Sequence, residues 1–418
     1  MRHTLYICYF GLREPLVQTQ VIPYLRELAK GGMRVSLLTF EPELHEKWLP
    51  DEIDAEKQAM AESSIEWECL AYHKRPSAVA TAFDIFVGAQ FISQKIRTNG
   101  VDVLHGRSHV ATLMGALARK LSPAKPKLIF DIRGFLPEEY ADAGVWRENG
   151  MIFRAAKRVE KWLMRDSDAF VVLTEKARSI LFGTKPPEEF GYAAETGQPV
   201  EVIPCCVDFE HRFPAEIGPQ AIEIATRLNL QDRFVITHIG ALGGLYLTGE
   251  LVDFLTAAKT VDPSIFALIL TQTDPSHIIS LLLGNGFARD DFFVSKVQPN
   301  EIPAYLNVAD AGLSFVKATY ATQSRSPTKI PEYLAAGLPI IANSGVGDVD
   351  DLIKREGVGI LIDRFDRSAY IAAFERLKLL GDIGEKCRET AKTRFDLETV
   401  GGLRYRRLYE RLFCNDGR

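Results

Sequence analysis

A run of cationic and hydroxyl side chains in the last third of the chain could bind a diphosphate. Arg325 and Lys329 can neutralise phosphate charge, and Ser326 and Thr328 can donate hydroxyl hydrogen bonds to phosphate oxygens. Glu332 lies one turn into the helix that follows, where its carboxylate could accept ribose hydroxyls. The structural alternative is that the Ser-Pro-Thr string only caps this helix, with the charged side chains on a solvated face.

Two glycine-rich turns in the same half of the chain could bring backbone amides close to a diphosphate. The first follows a predicted strand and contains Gly243 and Gly244, and the second contains Gly345 and Gly347. Glycine lets a backbone approach a ligand closely, and a helix N-terminus after such a turn favours anions. A tight turn needs the same glycines for structural reasons. Because no equally glycine-rich turn follows the first strand of the chain, a nucleotide site is expected in the C-terminal half.

The longer string around these residues resembles the donor-site region of glycosyltransferase family 4. It reads S-P-T-K-I-P-E-Y-L-A-A-G-L-P-I-I-A and is followed by G-V-G-D-V, while V-I-P-C-C-V-D at residues 202–208 is similar to the family's interdomain V-I-P-N-G-V-D. The resemblance implies the α/β fold class GT-B, with two Rossmann-like α/β/α domains facing each other across a cleft. It also implies a retaining, hexosyltransferase-like enzyme that requires no metal.

The resemblance further implies which partners the two domains take. A nucleotide-sugar donor is expected in the C-terminal domain, and a saccharide or lipid-linked saccharide acceptor in the N-terminal domain. The pathway it suggests is cell-surface polysaccharide, glycolipid or lipopolysaccharide assembly. Neither the sugar and base of the donor nor the acceptor can be inferred from the sequence.

Three positions depart from the pattern of the family. A glutamate is common eight residues before the one that matches Glu332, and Ser324 stands there. A histidine often follows a strand of the N-terminal domain, and Arg133 occupies that place. Many members also carry an arginine and a lysine for the diphosphate after the first C-domain strand, where this chain has glycines. Arg325 and Lys329 are expected to compensate, and recognition of the donor sugar is expected to differ.

Charged residues after one strand of the N-terminal half are candidates for catalysis. Arg133 could stabilise the donor phosphate or a charge on the acceptor, while Asp131 or Glu138 could position an acceptor hydroxyl. The structural alternative for Asp131 is a cap at the end of its strand.

Two further loops of the N-terminal half are predicted to border the acceptor. Arg107 and His109 belong to the cluster H-G-R-S-H, which is predicted to end a strand and open a helix, and both are predicted to lie on the acceptor side. Gly11, after the first strand, could let the backbone approach a ligand, although a simple turn needs it as well.

No metal site or cofactor is predicted. The six cysteines, at positions 8, 69, 205, 206, 387 and 414, form neither a CxxC pair nor a disulfide framework. His105 and His109 lie near one turn, but no neighbouring Asp or Glu in the sequence completes a ligand set.

The order of predicted elements indicates two α/β domains, which a chain of 418 residues also favours. Apolar runs typical of strands alternate with amphipathic segments, and they lie at residues 4–9, 34–40, 65–70, 101–105, 127–131, 169–174, 200–203, 234–239, 266–271, 291–295, 310–316, 338–342 and 357–362. Residues 380–414 are predicted to form helices. We predict an N-terminal domain over residues 1–208, a C-terminal domain over 209–395, and a closing helix within 396–418 that could pack back on the N-terminal domain.

Composition excludes some classes of function. A net charge of -5 argues against a nucleic-acid-binding protein, which would normally carry a strongly basic surface. The first apolar run is too short for a signal peptide, and no stretch of about 18 apolar residues follows, so a cytoplasmic location is predicted. The basic amphipathic segment 151–165 could touch anionic lipid at the inner face of the membrane, or it could be an ordinary solvated helix.

Two alternatives to a transferase stay open on the sequence. A nucleotide-sugar epimerase can share the same architecture, because a fold does not fix a function. A non-catalytic sugar-nucleotide-binding protein would explain why Ser324 and Arg133 replace the family's glutamate and histidine.

Overall fold

The computed structural model of the protein describes residues 1–75, 77–183, 192–193, 197–213 and 218–414. The chain divides into two compact units, of which the first comprises Met1–Pro204 with Gly401–Arg418 and the second comprises Cys205–Val400. Each unit contains a largely parallel sheet with helices between its strands. The predicted pair of Rossmann-like α/β domains is therefore confirmed.

The sheet of the first unit has eight strands in the spatial order β3-β2-β1-β4-β5-β6-β8-β7. Neighbouring strands pair in parallel except for β7, which pairs antiparallel with β8. The strands are β1 His3–Cys8, β2 Arg34–Pro42, β3 Ile65–Tyr72, β4 Val103–Arg107, β5 Lys127–Ile132, β6 Ala169–Val172, β7 Tyr192–Ala193 and β8 Pro199–Val202.

Helices connect these strands. They are α1 Pro15–Gln20, α2 Ile22–Lys30, α3 Leu44–Lys47, α4 Pro50–Glu62, α5 Ser77–Asn99, α6 Ser108–Leu121, α7 Leu136–Asp142, α8 Met151–Asp166 and α9 Glu175–Phe182. Within the described ranges, no helix of the chain is both long enough and apolar enough to cross a bilayer.

The sheet of the second unit has six strands, all parallel, in the order β11-β10-β9-β12-β13-β14. The strands are β9 Phe234–Ile239, β10 Ile265–Leu270, β11 Phe292–Ser295, β12 Ala311–Ser314, β13 Ile340–Asn343 and β14 Gly359–Ile362. The helices are α10 Pro219–Arg227, α11 Thr248–Val261, α12 Ser276–Gly284, α13 Ile302–Leu306, α14 Lys329–Ala335, α15 Val349–Glu356, α16 Arg367–Leu379 and α17 Gly384–Phe395.

Both sheets share one topological feature that positions a site. The first strand of each unit lies beside the fourth, so β1 pairs with β4 and β9 pairs with β12. The order of strands reverses at that point, and the connections on its two sides leave a crevice outside the carboxyl ends of the strands. Open α/β sheets bind their ligands there.

The two faces of the first sheet differ in polarity. Tyr6, His105 and Asp131 lie on one face, because β1, β4 and β5 are in a register that places them on the same side of the pleat. The residues between them in sequence, such as Ile7 and Phe130, are fully buried on the opposite, apolar face.

The last helix, α18 (Leu403–Cys414), covers the polar face of the first sheet. The Tyr409 hydroxyl is 2.8 Å from Thr4 Oγ1 and 2.9 Å from His105 Nδ1, and the Tyr405 hydroxyl donates to Asp131 Oδ2 at 3.3 Å. Buried polar groups need such partners, and α18 supplies them to Thr4, His105 and Asp131 of the sheet that it covers.

Strand β4 differs from its predicted bounds, and two helical segments of the chain are interrupted. Strand β4 runs to Arg107, so His105 lies inside the strand and not in a turn. A helix break at Val21 separates α1 from α2, and Pro23 lies in the first turn of α2. The closing helical segment is also interrupted, because the π-helical turn Leu397–Gly402 separates α17 from α18.

Candidate functional site

In the second unit, the loops after β9, β12 and β13 meet at the carboxyl edge of the sheet. A Cβ atom added to Gly240 would lie 3.7 Å from Lys329 Nζ, which places the first glycine-rich turn against the start of α14. Leu245 packs in a small hydrophobic cluster with Val316 and Val346, so the second glycine-rich turn lies there too. The structure thus brings together the three segments that the sequence nominated for a donor site.

Lys329 is the central side chain of this edge. It is 4% exposed, and no ion pair joins its ammonium to a carboxylate among the described residues. Its Nζ lies 3.4 Å from His238 Nε2 and 4.6 Å from the centre of the Tyr246 ring. Burial lowers the pKa of Lys329 to about 7, although the negative charge of Glu332 acts to raise it. A cation buried without a counter-ion favours the arrival of an anion.

The imidazole of His238 is fixed as a neutral partner for this lysine. Burial and the charge of Lys329 lower the pKa of His238 to about 3. Its Nδ1 lies 3.2 Å from the carbonyl oxygen of Leu313 in β12. Its Nε2 lies 3.4 Å from the carbonyl oxygen of Ala241 as well as from Lys329 Nζ. A carbonyl can only accept, and the shorter contact at Nδ1 favours the hydrogen there, which leaves Nε2 to accept from Lys329. The histidine therefore spans the β9–β12 junction and holds the lysine over it.

Glu332, predicted to bind ribose, is paired with an arginine that the sequence analysis did not select. Its Oε1 accepts from Arg212 Nη1 at 2.9 Å, and Arg212 Nη2 donates to the carbonyl oxygen of Pro299 at 2.9 Å. Burial raises the pKa of Glu332, and the charge of Arg212 opposes that shift. The arginine fixes one carboxylate oxygen of Glu332, and the ribose role remains a prediction for the other.

The remaining side chains of this segment lie in the turn before α14. Ser326 Oγ accepts from the backbone nitrogen of Cys205 at 3.1 Å, and its hydroxyl hydrogen can still donate. Thr328 occupies the N-cap of α14 without capping it through its side chain. Arg325 is partly exposed beside them. Ser324, where the family commonly has a glutamate, donates to the carbonyl oxygen of Ala321 at 2.6 Å.

Several backbone amides of the glycine-rich turns are already used within the protein. Gly243 adopts φ +76° and donates to Thr248 Oγ1 at 2.9 Å, and Gly244 adopts φ +63°. The Gly345 amide donates to both carboxylate oxygens of Asp350, and the Gly347 amide donates to the carbonyl oxygen of Thr322. The Gly243 amide is engaged by Thr248 within the protein, and the contact of this turn's backbone with a diphosphate stays a prediction. These glycines shape the turns.

In the first unit, Asp131 is the centre of a buried polar cluster. Tyr6 and Tyr405 donate to its Oδ2 at 3.2 and 3.3 Å, and Arg133 Nη1 lies 3.5 Å from its Oδ1. Burial alone would raise the pKa of Asp131, but the charges of Arg133 and Arg107 and the His105 ring hold it well below its usual range. The structure thus brings Asp131 and Arg133 together. It also buries Asp131 completely, so any acceptor must contact it through these neighbours.

Arg107 belongs to the same cluster. Its side chain is 5% exposed, and among the described residues its Nη1 has no hydrogen-bond partner. It follows Gly106 at the end of β4, in register with Asp131 of β5. Arg107, Asp131 and Arg133 therefore form one group of two cations and one anion at the carboxyl edge of the first sheet.

His109 and Glu138 lie beside this cluster in a separate ion-pair network. His109 Nε2 is 2.9 Å from Glu160 Oε2, and Lys157 pairs with both Glu160 and Glu138. His109 has no carboxylate close to it in the sequence, because Glu160 belongs to α8 and lies 51 residues away. His109 is 5% exposed, and its ring meets Phe130 edge-on. Its predicted contact with an acceptor remains untested.

Gly11 lies against the end of β2. A Cβ atom there would lie 2.8 Å from Glu41 Oε2 and 2.9 Å from Pro42 Cδ, so close packing of the backbone accounts for the glycine. The Glu41 carboxylate accepts from the amide of Leu12 at 2.8 Å. Gly11 remains a predicted acceptor-side residue that the structure places at the carboxyl edge of the sheet.

Five residues at these two edges escaped the sequence analysis. They are His238, Tyr246 and Arg212 in the second unit, and Tyr6 and Tyr405 in the first. His238 and Tyr246 had a local signal, because they lie two residues before and two residues after the glycine-rich turn at residues 240–244. The others reach the site from distant parts of the chain.

The sequence profile of the family described as "Glycosyl transferase 4-like domain" matches residues 17–189. Residues 17–189 are a glycosyl transferase 4-like domain. The resemblance to glycosyltransferase family 4, inferred mainly from the C-terminal half, is thereby confirmed from the N-terminal half. No curated protein is significantly similar to the chain in sequence.

Solved structures extend the likeness in fold to the whole length of the chain. A glycosyltransferase from Rickettsia africae ESF-5 is 15% identical and superposes with a TM-score of 0.69, covering 99% of this chain and 97% of the other. Anabaena Alr3699/HepE, solved in complex with UDP and glucose, is 15% identical with a TM-score of 0.67, covering 98% and 100%. WaaG, a glycosyltransferase involved in lipopolysaccharide biosynthesis, is 13% identical with a TM-score of 0.64, covering 99% and 100%. The predicted GT-B class of the fold is confirmed.

Proposed function

We propose that this chain is a retaining, metal-independent glycosyltransferase that moves a sugar from a nucleotide-sugar to an acceptor hydroxyl. One observation carries the proposal: in the described part of the chain, no carboxylate forms an ion pair with the buried Lys329, which lies at the β9–β12 junction and against a glycine-rich turn. A diphosphate supplies the missing charge. Alr3699/HepE, which has the same fold, binds UDP and glucose, and this supports a nucleotide-sugar here.

The donor is proposed to lie along the carboxyl edge of the second sheet. Lys329 and Arg325 would bind the diphosphate, with Ser326 and Thr328 as hydroxyl donors to its oxygens. Glu332 would accept a ribose hydroxyl through the oxygen that Arg212 does not occupy. The glycines at 243, 244, 345 and 347 would keep the backbone clear of the ligand.

Catalysis would then consist of stabilising the leaving group. The acceptor oxygen bonds to the anomeric carbon on the face from which the nucleotide departs, the bond from that carbon to the phosphate oxygen breaks, and the hydroxyl proton passes to the departing phosphate. Charge that develops on the diphosphate is met by Lys329, whose ammonium is held in place by His238. No step in this scheme requires a metal.

The acceptor is proposed to bind the first unit, near Arg107, Asp131 and Arg133. Their two positive charges against one negative charge would suit an acceptor or a leaving group that carries negative charge. Assembly of cell-surface polysaccharide or glycolipid is the proposed context, and the likeness to WaaG supports it.

A thermal-shift screen tests the donor site. Full-length protein is heated with UDP-, GDP-, ADP-, CMP- and dTDP-sugars, with and without EDTA, beside Lys329→Ala and the exposed control Lys354→Ala. One nucleotide should stabilise the wild type and the control by about 2.7 kcal/mol at a hundred times its Kd, and EDTA should not matter. An equal response in Lys329→Ala would remove the assignment, and a response that needs divalent metal would contradict metal independence.

Turnover distinguishes the transferase from its two rivals. An epimerase converts the donor without any acceptor, and a non-catalytic binding protein responds in the thermal screen without converting it. Transfer to a membrane extract, followed by NMR of the new anomeric proton, should show the configuration of the donor. An inverted product would contradict the retaining mechanism.

We also propose that α8 brings the enzyme to an anionic membrane surface. Arg154, Arg158, Lys161 and Arg165 are all exposed and lie at helical spacing on one side of α8. Cosedimentation with phosphatidylglycerol vesicles should fall at least tenfold when all four become glutamine, at about 1 kcal/mol for each basic residue. Equal binding of the variant would exclude α8 as the contact.

A further inference from the structure

A buried carboxylate in the first unit orients a half-exposed histidine, and neither belongs to the clusters described above. Asp84 of α5 is 1% exposed. Its Oδ2 accepts from the Tyr9 hydroxyl at 2.6 Å and from the backbone nitrogen of His73 at 3.0 Å, and its Oδ1 lies 2.5 Å from His73 Nδ1. Three short hydrogen bonds therefore converge on this carboxylate.

The direction of these hydrogen bonds fixes the imidazole of His73. A carboxylate that already takes a hydroxyl and an amide hydrogen acts as an acceptor, so Nδ1 carries the hydrogen that points at Asp84. Nε2 then lies on the opposite side of a ring whose side chain is 47% exposed. Asp84 therefore fixes the ring through Nδ1, and among the described residues Nε2 has no hydrogen-bond partner.

Aromatic rings surround this pair at the carboxyl ends of β1, β2 and β3. Tyr9 meets Tyr72 and Phe40 edge-on, with ring centres 5.2 and 5.0 Å apart. The Phe83 ring lies edge-on to His73 at 5.1 Å and is 50% exposed. An exposed large aromatic side chain beside an oriented polar group is an arrangement typical of ligand sites, which combine apolar surface with a few fixed hydrogen-bonding groups.

We propose that His73 and Phe83 form a saccharide subsite that binds an uncharged sugar residue of the acceptor. His73 Nε2 bonds to a sugar hydroxyl, and the Phe83 ring contacts the apolar C–H face of the same sugar. Asp84 is a positioning residue that acts through His73, and Tyr9 supports Asp84. The assignment of this sugar to the acceptor rests on the proposed function. Binding of a sugar at His73 and Phe83 can be measured independently of it.

Saturation-transfer difference NMR on the full-length protein tests the subsite. The probes are methyl glycosides of glucose, galactose, mannose and N-acetylglucosamine, together with maltose and cellobiose. At least one should receive saturation from wild-type protein. Phe83→Ala should weaken its binding about fivefold or more, in keeping with the loss of one good contact. If no probe binds to the wild type, the proposal is overturned.

Two substitutions of His73 separate a binding role from a structural one. The amide nitrogen of Asn can replace Nδ1 and that of Gln can replace Nε2. If Nε2 binds the sugar, His73→Gln should retain more binding than His73→Asn, which should be about fivefold weaker than wild type. If the histidine only ties down Asp84, His73→Asn should be as good as wild type, and that result would overturn the proposal.

The chain offers a matched control for these variants. His211 is also exposed, at 60% of its side chain, and pairs with Asp208 at 3.0 Å in the second unit. His211→Asn should leave glycoside binding unchanged. An equal loss in His211→Asn and His73→Asn would mean that the effect is not local to the subsite, and would overturn the proposal.

The nucleotide-sugar screen keeps this proposal distinct from the proposed function. Donor binding should be the same in wild type, His73→Asn and Phe83→Ala, because all the donor groups lie in the second unit. A chain that binds glycosides through His73 but responds to no nucleotide-sugar would refute the transferase and keep the subsite. A chain that transfers sugar equally well with and without His73 would keep the transferase and refute the subsite's role in acceptor binding.

Discussion

The first six strands of each sheet follow the same spatial order, but the central buried charges at the carboxyl edges of the two sheets are opposite in sign. In the first unit, Asp131 is buried among hydroxyl donors and two arginines, so the protein itself supplies the anion. In the second unit, Lys329 is buried beside a neutral His238 and the Tyr246 ring, and no carboxylate pairs with it among the described residues.

The difference indicates which edge is prepared for an anionic ligand. A satisfied buried charge stabilises the protein that contains it, and an unsatisfied one lowers stability until a ligand compensates. The first edge therefore contains its own counter-ion, although one positive charge remains in excess, whereas the second edge gains a counter-ion only when its ligand binds. Removing the buried charge should consequently have opposite effects on the stability of the two units.

The largest effect is expected from Asp131→Asn. Loss of the carboxylate leaves Arg107 and Arg133 buried without their counter-charge, which should destabilise the first unit by about 3–5 kcal/mol. All four tryptophans of the chain lie in that unit, so their fluorescence during urea unfolding reports on it. The exposed Asp54→Asn should stay within about 0.5 kcal/mol of wild type. A similarly small effect of Asp131→Asn would break the comparison.

Lys329→Met should act in the opposite direction on the protein without ligand. The pKa of Lys329 falls to about 7 in the folded chain, so the unfolded chain binds more protons between about pH 7 and 10.5 and wild-type stability rises with pH there. The variant lacks this dependence. At pH 6.5 it should be more stable than wild type by about 4 kcal/mol, and the difference should be nearly gone by pH 10.5.

Circular dichroism during urea unfolding at the two pH values measures this effect, because the second unit contains no tryptophan. The tryptophan fluorescence transition should not move. A less stable variant at pH 6.5 would mean that Tyr246 and His238 compensate the lysine fully.

Donor affinity should fall as pH rises above 7. Binding of a diphosphate requires a charged Lys329, and the group whose pKa is lowered to about 7 must then take up a proton. The Kd for the nucleotide-sugar should rise up to about tenfold between pH 7.5 and 8.5. Calorimetry in two buffers of different ionisation enthalpy detects the proton uptake. Lys329→Arg, whose side chain stays charged, should show no such uptake.

The smallest effect is expected from Tyr405→Phe. It removes one of the two hydroxyl donors to Asp131 Oδ2 and should cost about 1 kcal/mol. Because Tyr6 donates to the same oxygen, the double variant Tyr6→Phe with Tyr405→Phe should cost more than the sum of the single changes. Tryptophan fluorescence measures the cycle. If the losses of unfolding free energy in the two single variants add up to the loss in the double variant, the two hydroxyls do not act together on the Asp131 carboxylate.

The general architecture followed from the sequence because local patterns determine it. Alternating apolar runs and amphipathic segments identified strands such as Phe234–Ile239 within a residue or two. Parallel strands put their carboxyl ends at one edge, so loops near Gly240 and Lys329 were expected to meet, and they do. These inferences need no knowledge of distant contacts.

The sequence analysis failed where the role of a residue depends on a contact that its sequence neighbours do not reveal. Gly106 suggested the end of a strand, but β4 continues through it to Arg107. A Cβ atom at this position would lie 2.3 Å from Thr112 Cα, and this contact is the reason for the glycine. The glycine serves close packing with α6. Arg212 and Tyr405 could not be selected, because their partners Glu332 and Asp131 lie 120 and 274 residues away in sequence.

The return of α18 to the first unit has a consequence for the order of folding. Its Tyr409 bonds to Thr4, 405 residues earlier in the chain. During synthesis the ribosome must therefore make all of the second unit before the polar face of the first sheet can be covered. The second unit, Cys205–Val400, is continuous and needs no later segment. It can complete its own contacts while the first, although made earlier, still waits for its last helix.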